Sequence, residues 1–191
     1  MVDDDTDGPD FSGQQLSKQN FSFRDFKGVS FNGADLSKAI FNDADLRSTD
    51  FAFADLTNAQ IRNANLFNAN LRNCILENAD LTYANLTGAD LSGADLTGAK
   101  LETANLSGAN LQTATLESAD LTDANLERVT LLEADLRNAD LTYANLSHSQ
   151  LRDCVLLGAN LFGANLNGSN IQDAIDADLE GFEIEESRDG E

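Results

Sequence analysis

Proline occurs once in this chain of 191 residues, histidine once, methionine once and tryptophan not at all. With Pro9 alone, the chain cannot be collagen-like or a polyproline rod, and its turns must be built by other residues. Two cysteines cannot make a disulfide scaffold, and that usage fits a reducing compartment. A single His148 leaves no material for a histidine-rich metal centre. No apolar run approaches the roughly 20 residues of a spanning helix, and Met1-Val2-Asp3-Asp4-Asp5 does not open a signal peptide. The expectation is a soluble, cytoplasmic chain without membrane association, or one of another compartment if this is a trimmed mature form. Basic residues are scarce: 12 Lys and Arg stand against 33 Asp and Glu, for a formal charge of −21. Such a balance excludes binding of nucleic acid or an anionic membrane through a basic patch.

What is present is a period. Every fifth residue from Phe11 to Ile171 is apolar without a slip, mostly Leu, with six Phe and two Ile among them. Two residues before each runs a second series. From Val29 to Ser169 its members are mostly Ala, and the others are Val, Thr, Cys or Ser. Asp or Asn mostly sits between them, as in Ala89-Asp90-Leu91 and Ala109-Asn110-Leu111. The unit is Ala-(Asp/Asn)-Leu-X-X.

Five fits neither common element. On an α-helix, five steps of about 100° turn each leucine by about 140°, so no stripe forms. On an extended strand an odd period sends successive leucines to opposite faces. The pattern works if each unit is a very short strand followed by a bend, with Ala and Leu inward and the other three residues outward. The last position of the unit holds Gly at ten sites and Asn at six, residues that tolerate φ > 0 in a tight turn. Longer echoes supply the number of sides. Leu71-Arg72-Asn73-Cys74 recurs as Leu151-Arg152-Asp153-Cys154, sixteen units on. Ala79-Asp80-Leu81-Thr82-Tyr83 recurs from Ala139, twelve units on. The largest spacing that divides both is four units, which makes a four-sided coil. In that register Asn65, Asn85, Asn105, Asn125, Asn145 and Asn165 fall in one column and can form an amide ladder.

Unbroken tandem Ala-(Asp/Asn)-Leu-X-X resembles the pentapeptide-repeat family over about residues 11 to 175, and the highly regular members common in cyanobacteria above all. The resemblance implies an all-β fold: a right-handed quadrilateral β-helix with four units per coil, which the spacing also favours. About eight coils at roughly 4.8 Å would make a rod about 40 Å long. Residues 1–10 then form an acidic N-terminal tail, 11–175 the β-helix and 176–191 an acidic C-terminal cap or tail. Pro9, Gln14, Gln19 and Arg24 occupy the small-residue position, so the first coil is expected to be looser or to act as a cap.

Catalytic candidates are weak. His148 falls at an outward turn position. Cys74 and Cys154 fall in the inward small row, four coils apart and about 19 Å along the stack, beyond the reach of a disulfide. The carboxylates line convex faces rather than a cleft. Two fragments mimic the first half of an EF-hand loop, Asp3-Asp5-Asp7-Gly8 and Asp176-Asp178-Glu180-Gly181, but the twelfth position holds Gln14 or Ser187 instead of Glu. No phosphate loop or nucleophile motif is present. Neither enzymatic activity, nor a cofactor, nor a metal is expected.

Outward apolar residues are the remaining signal. Phe23, Tyr83 and Tyr143 share a column, Phe162 lies one coil beyond Tyr143 in the neighbouring column, and Leu132 and Leu157 also point out. Tyr83, Tyr143, Phe162 and Leu157 form the candidate partner patch. The reading is a non-catalytic interaction or scaffold module for another protein, as a monomer or an end-to-end dimer. The second reading comes from the resemblance, since some relatives protect type II topoisomerases such as gyrase by mimicking DNA. Residues 1–10 carry −5 and residues 176–191 carry −7, which leaves −9 for the body of a chain at −21. DNA of about 40 Å carries roughly 23 charges, so charge disfavours the mimic. Residues 73–127 alone, with nine acids against Lys100, favour it. After Ile171 the phase slips, and residues 174–184 are expected to fold across the open end with Leu179, Phe182 and Ile184 as a lid; the competing outcome buries Phe182 in a dimer.

Overall fold

The computed structural model describes residues 9–177. Parallel β-bridges join the residue before each inward leucine to its counterpart four units along, from Asp10↔Ser30 through Asn145↔Asn165 to Val155↔Ile175. Four bends separate one bridge position from the next in the same column, so the coil is four-sided. The expected short strands are in fact single bridged residues; the only helical element among the described residues is the 3₁₀ turn Ile171–Asp173. Each side is too short for a strand because the chain bends again before a second residue can pair.

The hydrogen bonds account for all five amides of a unit, as Leu36 to Ile40 illustrates. Leu36 N donates to Asp55 O at 2.7 Å and Lys38 N to Thr57 O at 2.9 Å, both in the following coil. Ile40 N donates back to Gln19 O at 2.9 Å, and Ala39 N closes the bend onto Leu36 O at 2.9 Å. Only the Ser37 amide lacks a backbone partner, and it donates to Asp35 Oδ1 at 3.0 Å. This is why Asp or Asn stands before the leucine: its short side chain caps the one amide the ladder leaves unpaired. The bend is a type II turn with its third residue in the left-handed region. Gly33 has φ +63° there. The β-branched Thr103 and Thr113 are held at φ 58° and 57°, so the stacked coils overcome an unfavourable local preference.

Inward side chains form one continuous core. The leucine row is buried from Phe26 to Leu161, and the small row from Val29 to Cys154. Alanine fills the second row because two inward rows per side share a narrow interior. At the N-terminal end phenylalanines take the leucine place. Phe11, Phe31 and Phe51 stack at 5.1 and 5.3 Å, and Phe21 on Phe41 at 5.0 Å, close to the spacing of paired strands. Phe11, Leu16 and Phe21 are only partly buried, and Gln14, Gln19 and Arg24 are exposed around them. Long polar side chains at the small position keep this end wet and unlike the interior it terminates.

At the other end the repeat changes its partners. Leu151 N donates to the Asn170 side chain at 2.6 Å, and the Ile171–Asp173 turn follows. Ile175 still exchanges bonds with the coil below, at 2.7 Å to Cys154 O and 2.9 Å from Leu156 N. The chain therefore keeps its register one residue past the departure expected at residue 174. Leu179, Phe182 and Ile184, the expected lid, lie outside the described residues, as does most of each EF-hand-like fragment.

Charged pairs link neighbouring coils: Arg62 to Asp80 at 3.0 Å and Arg137 to Glu117 at 3.3 Å. Hydrogen bonds from Arg47 hold the Asp45 carboxyl below its ordinary 3.8, and those from Arg137 do the same for Asp135. A depressed folded value adds stability above the unfolded value, and that increment is lost as pH falls through the folded one. The melting temperature should fall as pH drops below about 4, and Arg47→Met with Arg137→Met should flatten that fall. A steeper fall in the double variant would contradict the assignment.

Two core substitutions should move stability in opposite directions. The Ser149 hydroxyl is buried without a partner, whereas that of Thr49, in the same row, donates to Phe26 O at 2.9 Å. Ser149→Ala should stabilise by about 1 kcal/mol, and Ala104→Leu, at a fully buried position, should cost roughly 1–3 kcal/mol, both read by urea unfolding.

Candidate functional surface

Because the bends stack, each outward position becomes a column running along the rod. One face has Asn at its centre: Asn85 donates to Asn65 at 3.1 Å, Asn125 to Asn105 and Asn145 to Asn125 at 3.2 Å, and Asn165 to Asn145 at 3.0 Å. These are four steps of the expected ladder. The adjoining face has Asp80, Lys100, Asp120, Asp140 and Asn160 at its centre. It is termed here the Asp120 face.

All four residues of the candidate patch border the Asp120 face. Tyr83, Tyr143 and Phe162 stand on one edge and Leu157 on the other, with Asn160 between Leu157 and Phe162 along a single side. They are exposed, at 57% for each tyrosine, 66% for Phe162 and 55% for Leu157. Tyr143 and Phe162 meet edge to face, ring centroids 5.6 Å apart at 69°. Asn160 is tied to Thr142 Oγ1 at 2.8 Å and to Asp140 at 3.2 Å, which fixes the floor beside the rings. Tyr83 is not part of this pair; three coils, about 14 Å, separate it from Tyr143.

A residue absent from the sequence expectation seats the pair. Gly163 follows Tyr143 in its column, and a Cβ there would lie 2.5 Å from Tyr143 Cε1. The missing side chain lets the ring lean over the next coil onto Phe162. Tyr83 is followed by Thr103 in the same column, so its ring has no such seat. The contrast is readable once the four-unit register is known. Phe53, 64% exposed, and Phe67, 41% exposed, stand on other edges and lie outside the candidate patch. Leu132, expected outward, is half-buried.

Burial pushes both thiols, Cys74 and Cys154, up to about 12, and both are free, so neither is a nucleophile near neutral pH. His148 is exposed on a bend at φ 59°. Burial raises the Asp80 carboxyl, but hydrogen bonds from Thr82 and Arg62 outweigh it and leave the value lowered, the opposite of a general acid. A shallow hollow of about 290 Å³ on another edge is lined by Arg72, Asn73, Asp90, Ser92, Asn110 and Gln112; it is open and polar. Among the described residues no His, Cys, Asp and Glu side chains converge to hold a metal ion, and no helix is long and apolar enough to cross a membrane.

Among curated proteins none matches the chain. Among solved structures it is similar to HetL, a pentapeptide repeat protein involved in heterocyst differentiation regulation from the cyanobacterium Nostoc sp. strain PCC 7120. That match has 29% identity over 87% of this chain and 89% of the other, with a TM-score of 0.37. A trypsin-treated variant of QnrB1, a plasmid-mediated fluoroquinolone resistance protein, matches at 18% identity over 83% of this chain and 92% of its own, with a TM-score of 0.56. The latter is a likeness of fold. The family model for pentapeptide repeats matches residues 25–63, 59–98, 94–131, 119–158 and 139–181. With that match over most of its length, and with the repeat unit unbroken through the folded coils, the chain belongs to the pentapeptide-repeat family, whose members fold as right-handed quadrilateral β-helices.

Proposed function

We propose that this protein is a non-catalytic protein-interaction module, a rigid rod of about eight coils whose working surface is the Asp120 face. The observation that carries the reading is the gathering of Tyr83, Tyr143, Phe162 and Leu157 around that one face, with the Tyr143 ring packed over Gly163 and against Phe162. Phe53 and Phe67, single exposed rings on the other two edges, carry no such meaning; an anchored pair on the rim of a flat surface is what protein partners use. The partner is another protein, and the module acts as a monomer or an end-to-end dimer.

A second reading, a DNA mimic that engages a type II topoisomerase, draws on the acid-rich stretch 73–127. The Asn ladder gives the rod a neutral face beside the acidic one, and Arg62, Arg72 and Arg137 are paired with carboxylates. Both features weaken a resemblance to the uniform charge of DNA. The protein should leave gyrase supercoiling unchanged; inhibition abolished by Asp80→Asn with Asp120→Asn would put the mimic first.

A photo-crosslinker placed at Thr122, on the Asp120 face, should trap one protein from the source organism, whereas one at Thr130, on the opposite face, should not. Gly163→Ala should abolish the adduct by displacing the Tyr143 ring, while costing only about 1 kcal/mol of stability. Equal adducts from both faces, or an adduct indifferent to Gly163→Ala, would overturn the assignment of the surface.

A further inference from the structure

We propose that the Asp120 face binds an extended, arginine-bearing segment of its protein partner, laid along the rod axis between Tyr83 and Phe162. The inference rests on the interaction-module reading and specifies the chemistry of the partner.

Charge and rings on the same strip carry it. Along the centre of the face and its tyrosine edge stand Asp80, Glu102, Asp120, Asp123 and Asp140, with Lys100 as the one cation in that span. Glu102, Asp120, Asp123 and Asp140 make no ion pair among the described residues, whereas Asp80 is paired with Arg62. Rings stand at both ends of this strip: Tyr83 at one, Tyr143 and Phe162 at the other. A guanidinium satisfies both kinds of group, because its plane stacks on a ring and its fork meets a carboxylate in two places. An ammonium meets the carboxylate as a point charge and stacks less well.

The dimensions suit an extended segment. Tyr83 to Phe162 covers about four coils, close to 20 Å, which an extended chain crosses in about six residues. Side chains on one face of such a segment recur every second residue, so three of them face the rod. They reach the Tyr83 ring, the carboxylates of the middle coils and the Tyr143–Phe162 pair. A nucleic acid or an anionic membrane is repelled by the same strip. A second copy of this chain brings a net charge of −21 against it.

The test uses the full chain and a fluorescent peptide of about twelve residues with Arg at alternate positions and Ser between, in about 50 mM salt. Anisotropy should give saturable binding that weakens about tenfold with Tyr83→Ala plus Tyr143→Ala, and comparably with Asp120→Asn plus Asp123→Asn. Phe53→Ala and Asp50→Asn plus Asp90→Asn, on other surfaces, should change it less than about twofold. The lysine counterpart should bind more weakly, and a serine-only peptide not at all. Equal losses from the control variants would reduce the effect to attraction towards a polyanion and overturn the proposal, as would equal binding of the serine-only peptide. Self-association of the chain lost with Tyr83→Ala plus Tyr143→Ala would overturn it too, assigning the strip to a second copy. A partner crosslinked at Thr122 through a segment devoid of Arg would sink this inference and leave the interaction-module reading standing. Absence of any crosslink at Thr122, with peptide binding retained, would sink that reading instead.

Discussion

The backbone hydrogen-bond grid is the constraint on which everything else in this molecule depends. In a unit such as Leu36 to Ile40 four amides find carbonyl partners, either in adjacent coils or across the bend, and the Asp or Asn that precedes most of the inward leucines caps the fifth. That grid permits a fold without a single multi-residue strand among the described residues, because most amides are paired without one. It also permits the left-handed bend at residues such as Thr103 and Tyr83. The cost of φ > 0 there is outweighed by the three bonds to neighbouring coils that the conformation allows. Change the period by one residue and both the inward row and the capping side chain are misplaced together, which is why the phase holds from Phe11 to Ile171.

The same grid divides the residues into those that build and those that are free. Alanine, Asp or Asn, and leucine are committed to the interior and to the cap; the two bend positions carry little structural duty beyond conformation. Variation is accordingly concentrated there, and Tyr83, Tyr143, Leu157 and Phe162 are all bend residues. A large apolar side chain at such a position gains nothing for the core, since its ring stands outside the coil. The packing of two such rings against each other on one rim, which the isolated Phe53 and Phe67 lack, is therefore information about the surface, as it would not be in a globular domain with an irregular core.

Much of the fold was legible because the repeat multiplies a weak signal thirtyfold. One Ala-Asp-Leu tripeptide says nothing; the same order in phase over the chain leaves no helix or long strand able to hold it. The four-unit register came from two chance echoes, Leu71–Cys74 with Leu151–Cys154 and Ala79–Tyr83 with Ala139–Tyr143, and the bridges use it throughout. Two details were not legible. Single-residue bridges in place of short strands follow from how soon each bend begins, a geometric matter that residue type does not encode. At the last coil the Asn170 side chain stands in for a backbone carbonyl towards Leu151 N while Ile175 keeps its bridge to Val155, a substitution that no spacing reveals. For the candidate surface the residues themselves were visible, but their common face was not, because Leu157 and Phe162 lie on different edges and only the folded side brings them to its two ends.

Rigidity gives this surface its character. In an ordinary domain an exposed tyrosine loses rotamer entropy on binding and its loop often reorders. Here the Tyr143 ring leans over a glycine and against Phe162, while the floor beside it is tied through Asn160 to Asp140 and Thr142. The backbone beneath is held by coil-to-coil bonds near 2.9 Å on each side. On the proposed reading a partner meets groups already in place, and little of the interaction energy is lost in ordering them. The spacing between groups is equally set: columns advance one coil at a time, so carboxylate and ring positions along the face are multiples of a single rise. A ligand whose own groups repeat along an extended backbone matches such a ruler more readily than a compact one. By that argument the regularity of the coils supports the proposed reading, in which the Asp120 face favours an extended partner over a compact one.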